Sequence, residues 1–220
     1  MKLAMIFMSN SVNQINLLEF INAKISTMKK HHLIAVLAFL SFWASAQSPP
    51  QIHTTAYGAD SIGGQNIQMQ YYYLKANNVA ELQKEIEAER MKDTTTKHFM
   101  ARTRTQVNWN WEGYGKADCD LKSLKLTHQI VIKFPRWQVP DDLPEADKKR
   151  WADFIKNLAE HELGHVTVAL EQFPKMEERI KAADCKTADG HARGSMEELR
   201  QANFRYDDAT QHGLLQGAKF

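Results

Sequence analysis

The pentad His161-Glu162-Leu163-Gly164-His165 constrains this chain more than any other segment, because its three polar side chains fall on what reads as the buried face of a helix. Two histidines four positions apart project from the same side, so both imidazoles can reach one tetrahedral cation. Glu162 follows the first of them, where it can hold a water at the open position of that cation and take its proton. Trp151, Phe154, Ile155 and Leu158 form one apolar stripe, which continues through His161, Glu162 and His165 to Ala169, Phe173, Met176 and Ile180. Ionisable groups on such a face are costly unless they are paired or metal-bound. In a chain with nine histidines the motif can arise by chance, so the flanking stripe, and not the spelling, carries the reading. The expectation is one Zn2+ held by His161 and His165, with Glu162 as general base toward a water whose pKa the ion lowers.

The first 46 residues do not read as part of the fold. Met28 is followed by a basic start at Lys29, Lys30, His31 and His32, an apolar run from Leu33 to Trp43, and the small-residue cleavage signal Ala44-Ser45-Ala46. Residues 28–46 are therefore expected to be a signal peptide cut near Ala46, residues 1–27 an upstream extension from an over-called start codon, and residues 47–220 a single domain. The apolar run is short for a bilayer, so the mature form is expected without a membrane span, in the periplasm or outside the cell. A formal net charge of +2 with scattered basic residues gives no electrostatic footprint for nucleic acid. Cys119 and Cys185 are the only cysteines, and in an exported chain they read as a disulfide that encloses the motif helix.

Strand patterns come first along the domain. Ile67, Met69, Tyr71 and Tyr73 alternate, Asn78 can cap a short helix through Leu82 and Ile86, and a Thr-rich turn sits at 94–96. From Thr103 to Trp111 the odd positions form one face and the even positions a polar one, and a second long strand runs from Leu124 to Phe134. His128 falls on the apolar side of that strand and reads as a core histidine. Pro135, Pro140 and Pro144 break the pattern, and Pro144 suits the start of the motif helix, which runs to about Ala183. Asp184 to Gly194 reads as a polar loop, and Ser195 with Glu198 as a capping box for a last helix that ends near Gly213. Strands before helices indicate an α+β fold with a twisted antiparallel or mixed sheet packed on the long motif helix and a C-terminal helix.

A catalytic zinc needs a third protein ligand. Glu171 lies about 9 Å beyond His165 on an unbroken helix and off the stripe, which makes it a solvated charge. The last helix returns toward the motif with Asp207 on its inward side, while His212 is a preferred ligand type that Gly213 could swing in. His212 and Asp207 thus stand as alternatives, the unused one orienting a ligand from behind. His191 is a weaker candidate in the loop, and Tyr206 a phenol that could stabilise an oxyanion or support a ligand.

Trp109-Asn110-Trp111, Cys119, Phe134-Pro135-Arg136-Trp137, Trp151, the pentad, Cys185 and Tyr206-Asp207-Asp208-Ala209-Thr210-Gln211-His212-Gly213 together resemble the predicted secreted zinc-dependent proteases of bacteria, a family long catalogued as a domain of unknown function. The resemblance implies a zincin-like fold and metallopeptidase activity, carried onto His161, Glu162, His165 and His212. The reading is an exported zinc-dependent metallopeptidase that hydrolyses peptide bonds in a peptide or protein substrate docked along the strand from Thr103 to Trp111. The alternative is a zinc-stabilised, non-catalytic module for a cell-envelope partner. Substrate and oligomeric state are not encoded in any readable feature.

Overall fold

The computed structural model describes residues 53–54, 60–61, 67–92 and 100–220. The expected upstream extension, the signal peptide and the Thr-rich turn lie outside the described residues. Three long strands carry the sheet: β3 (Ile67–Leu74), β4 (Arg102–Glu112) and β5 (Asp120–Trp137), with two-residue strands β1 (His53–Thr54) and β2 (Asp60–Ser61) completing the order β1-β2-β3-β5-β4. The sheet is mixed. β3 runs parallel to β5, with Ile67 opposite Ile130 and Leu74 opposite Trp137, whereas β4 and β5 form a long antiparallel hairpin. A parallel pair cannot be joined by a tight turn, and the connection leaves β3 through helix α1 (Val79–Lys92). Asn78 caps α1 as expected, its Oδ1 accepting from Glu81 N at 3.0 Å.

The alternation in β4 holds along its length: Thr103, Thr105, Val107 and Trp109 are half-buried and Trp111 buried, with Arg104, Gln106, Asn108 and Asn110 exposed. β5 extends past the expected Phe134 through Pro135. The reason is local: pairing with β4 begins at Arg102 opposite Lys133, so beyond Lys133 β5 is bonded on one side only and a residue without an N–H is tolerated. Ile130, Ile132 and Phe134 turn inward, and His128 on the same face stacks on Phe173, ring centroids 4.1 Å apart.

Helix α2 (Glu145–Lys181) crosses under this inward face and buries Trp151, Phe154, Leu158, Leu163, Val166, Ala169 and Phe173 against it. Helix α3 (Ala188–Thr210) then returns along α2. Its start corrects the expected capping box at Ser195 and Glu198. The helix begins eight residues earlier, after a turn in which Asp184 Oδ1 accepts from the backbone N–H groups of Lys186 and Thr187, each at 2.9 Å. Ser195 lies inside α3 and bonds back to the His191 carbonyl. Ala188, Ala192, Ser195 and Leu199 recur at helical spacing and are buried, and such small side chains let two helices approach closely. The Cys119–Cys185 disulfide forms as expected, tying the β4–β5 turn to the α2–α3 connection. Among the described residues no helix is long and apolar enough to cross a membrane.

Candidate metal centre

His161 and Glu162 are buried on α2, at 3 % and 4 % exposure, and His165 is half-buried, so the polar triplet does point inward. The last turns of α3 lie across it. There Asp207 meets both histidines: its Oδ1 is 3.3 Å from His161 Nε2 and 3.1 Å from His165 Nε2. Ligands about 2.0–2.1 Å from a tetrahedral cation stand about 3.3–3.4 Å from one another, which the His161 separation matches and the His165 separation approaches to about 0.2 Å. His161, His165 and Asp207 form the one group among the described residues with ligand atoms converging in this way, all within 4.8 Å.

His212 is not in that group. Helix α3 ends at Thr210, and Gln211, His212 and Gly213 follow with φ of 49°, 52° and 82°. This left-handed turn leaves the His212 side chain 54 % exposed, with Nδ1 3.6 Å from Asp207 Oδ1, too long for a hydrogen bond. Of the two candidates for the third position, the structure therefore brings in Asp207 and leaves His212 beside it. His191 is exposed on α3 and Glu171 exposed on α2, both apart from the cluster.

The protonation of the imidazoles follows from their other contacts. His165 Nδ1 lies 2.7 Å from Asn203 Oδ1, and the Asn203 amide is oriented by donating its Nδ2 hydrogen to the Leu199 carbonyl. His161 Nδ1 lies 3.0 Å from Gln216 Oε1. Gln216 is oriented in turn, because its Nε2 donates to the Tyr206 hydroxyl and that hydroxyl donates to the His161 carbonyl. Facing a carbonyl-type oxygen, each Nδ1 carries the hydrogen in the neutral ring, and each Nε2 then keeps a lone pair. From neutral rings the buried Asp207 Oδ1 accordingly receives no hydrogen bond. Two nitrogen lone pairs and a carboxylate oxygen thus meet with no hydrogen between them. Such a set repels itself unless a cation, or an added proton, lies among its members.

The electrostatics describe the second case, in which a proton on an imidazole binds the set together. Burial pushes the Asp207 carboxyl up, but the two imidazoles outweigh it and hold the group well below the usual carboxylate range. Burial alone would lower His165; Asp207, Glu162 and Asn203 more than reverse this, and its pKa is raised. Glu162 is pushed up by burial, against the pull of His165, Thr103 and His161. Its Oε2 accepts from the Thr103 hydroxyl at 2.7 Å.

Tyr206 stacks on the His161 ring, centroids 5.3 Å apart, and its hydroxyl lies so near α2 that a Cβ at position 164 would overlap it. The phenol supports His161 from behind and requires glycine at 164. At Gly213, in the left-handed turn, a Cβ would stand 3.0 Å from the same ring. Gln216, Asn203 and Thr103 are the site residues that sequence reasoning missed. Asn203 and Thr103 stood on the correct faces of their elements, whereas Gln216 lies in a short 3-10 turn (Leu214–Gln216) with no periodicity to mark it.

A family model described as "Bacterial protein of unknown function (DUF922)" matches residues 69–213, which span every residue of the cluster. No curated protein and no solved structure matches the chain.

Proposed function

The chain belongs to this bacterial family of unknown function, and we propose that it acts as an exported zinc-dependent metallopeptidase. One observation carries the reading: His161 Nε2, His165 Nε2 and Asp207 Oδ1 converge as three hydrogen-free donors, beside a buried carboxylate that is not one of them. Two imidazoles and a carboxylate are a set that zinc takes in catalytic sites, where three protein ligands leave a position open. Bound there, the ion would act as a Lewis acid and bring the pKa of water toward neutrality.

The remaining work falls to side chains of this chain. Asn203 and Gln216 keep both Nε2 atoms unprotonated and aimed inward. Glu162, raised by burial toward the range where a carboxyl both takes and gives a proton, serves as general base for water and then as acid toward the leaving amine. Among the described residues β4 is the last strand of the sheet, paired with β5 on one side, so its outer edge would offer main-chain groups to an extended peptide. Export fits the disulfide and the signal-peptide pattern at 28–46.

Metal analysis of purified protein should return about one zinc per chain, and the loaded protein should cleave an unstructured polypeptide in a chelator-sensitive way. Glu162→Gln should keep the zinc and lose at least about a hundredfold in turnover. Zinc binding with no cleavage of any peptide would leave the binding-module reading standing, and absence of bound metal would end both.

A further inference from the structure

We infer that Thr103 is a positioning residue for Glu162, an assignment that rests on the proposed role of Glu162 as the base. The hydroxyl of Thr103, on the inward face at the start of β4, lies 2.7 Å from Glu162 Oε2 and 3.3 Å from the Glu162 backbone carbonyl. A hydroxyl has one hydrogen, and the shorter, charge-assisted contact takes it. Glu162 stands on a helix and Thr103 on the edge strand, 59 positions apart in sequence, so the contact is a product of the fold and not of local geometry.

A carboxylate on a helix keeps freedom about its side-chain torsions, and α2 by itself does nothing to fix the plane of the Glu162 carboxyl. Thr103 does this by occupying one of the two oxygens. It also supplies a donor to a carboxylate that is almost fully buried, where an unmet charge is costly. The strand that carries this hydroxyl is the strand whose outer edge is offered to substrate. Thr103 is paired with Ile132 across the β4–β5 ladder, so its position is set by the sheet. Substrate register and base orientation are thereby read from one piece of backbone.

The test compares Thr103→Val, which keeps the shape and removes the donor, with Thr103→Ser, which keeps the donor. With zinc-loaded protein and a peptide substrate, T103V should lose about tenfold to a hundredfold in kcat with KM nearly unchanged, and T103S should restore most of it. In a Glu162→Gln background T103V should cost less than about twofold, because its effect acts through the carboxylate. A purely structural role would give the reverse: a lower melting temperature with kcat intact. Two readouts stand apart from turnover. Zinc affinity should be unchanged in T103V, and in metal-free protein the 13C resonance of the Glu162 carboxyl, assigned by its loss in E162Q, should move in T103V and not in T103S. Wild-type kcat in T103V, an equal loss in the E162Q background, or an unmoved carboxyl resonance overturns the assignment. A wild-type protein that binds zinc and cleaves nothing would instead remove the peptidase reading, with the resonance still deciding whether Thr103 holds Glu162. Should T103V fail to fold, Thr103→Ala replaces it in every comparison.

Discussion

Helix α3 carries an aspartate near each end, and the two differ in what surrounds them. Asp189, near the start, accepts hydrogens from the Tyr114 hydroxyl, the Arg193 guanidinium and the Trp109 indole, which together hold its carboxyl at about 2. Asp207, near the end, is held low as well, but by the two imidazoles its Oδ1 faces, and in their neutral form these present it with lone pairs. The first carboxylate is satisfied by the protein alone, pinning the β4–β5 turn to α3. The second is complete only with something positive added. A depressed carboxyl pKa therefore does not by itself identify a metal ligand; an inventory of hydrogens around the oxygen does.

The contrast can be broken most directly at Asp207. Asp207→Ala should weaken zinc binding by at least about a hundredfold in competition with a chromophoric chelator, since it removes one of three protein ligands. Zinc affinity that survives this change would return the third position to His212. Next in size, Asn203→Leu should weaken zinc about ten- to a hundredfold by freeing the His165 ring to rotate and change tautomer. At the other end, Asp189→Ala should lower stability by about 1–2 kcal/mol in urea unfolding and leave zinc affinity alone. The pH dependence should follow the same division. Asp189 titrates near 2 when folded against about 3.9 when unfolded, so it stabilises the fold above about pH 4 and the contribution fades as pH falls toward 2. Asp189→Asn should flatten that acid limb. Smallest of all, His212→Ala should change zinc affinity by less than about threefold, because its ring stands outside the converging set.

Much of this arrangement was legible in the sequence for reasons of periodicity. The stripe on α2, the two-faced β4 and the inward face of β5 each repeat often enough to show which side is buried, and that alone turned His161 and Glu162 inward. The disulfide followed from there being two cysteines and an export signal. The third ligand stayed ambiguous because the choice between Asp207 and His212 depends on where α3 stops. It stops in two consecutive non-glycine residues with left-handed backbone, a conformation that no pattern of apolar positions announces. The start of α3 was misplaced for a related reason. Gly190 and Gly194 suggest a loop by propensity, yet tertiary packing of Ala188 and Ala192 on α2 keeps the segment helical. Thr103 and Gln216 act across the fold, so their roles exist only once the chain is assembled.

The meeting of Gly164 with the Tyr206 phenol has an evolutionary corollary. Position 164 cannot grow while the tyrosine stays: even alanine there would evict the phenol from its seat, and His161 would lose both its stacking neighbour and the hydroxyl that steers Gln216. A relative with a bulkier residue in that slot of the motif should carry a smaller side chain in place of the tyrosine. Shrinking residue 206 together with enlarging 164 should relieve the clash that enlarging 164 alone creates, without restoring the stacked ring or its hydroxyl.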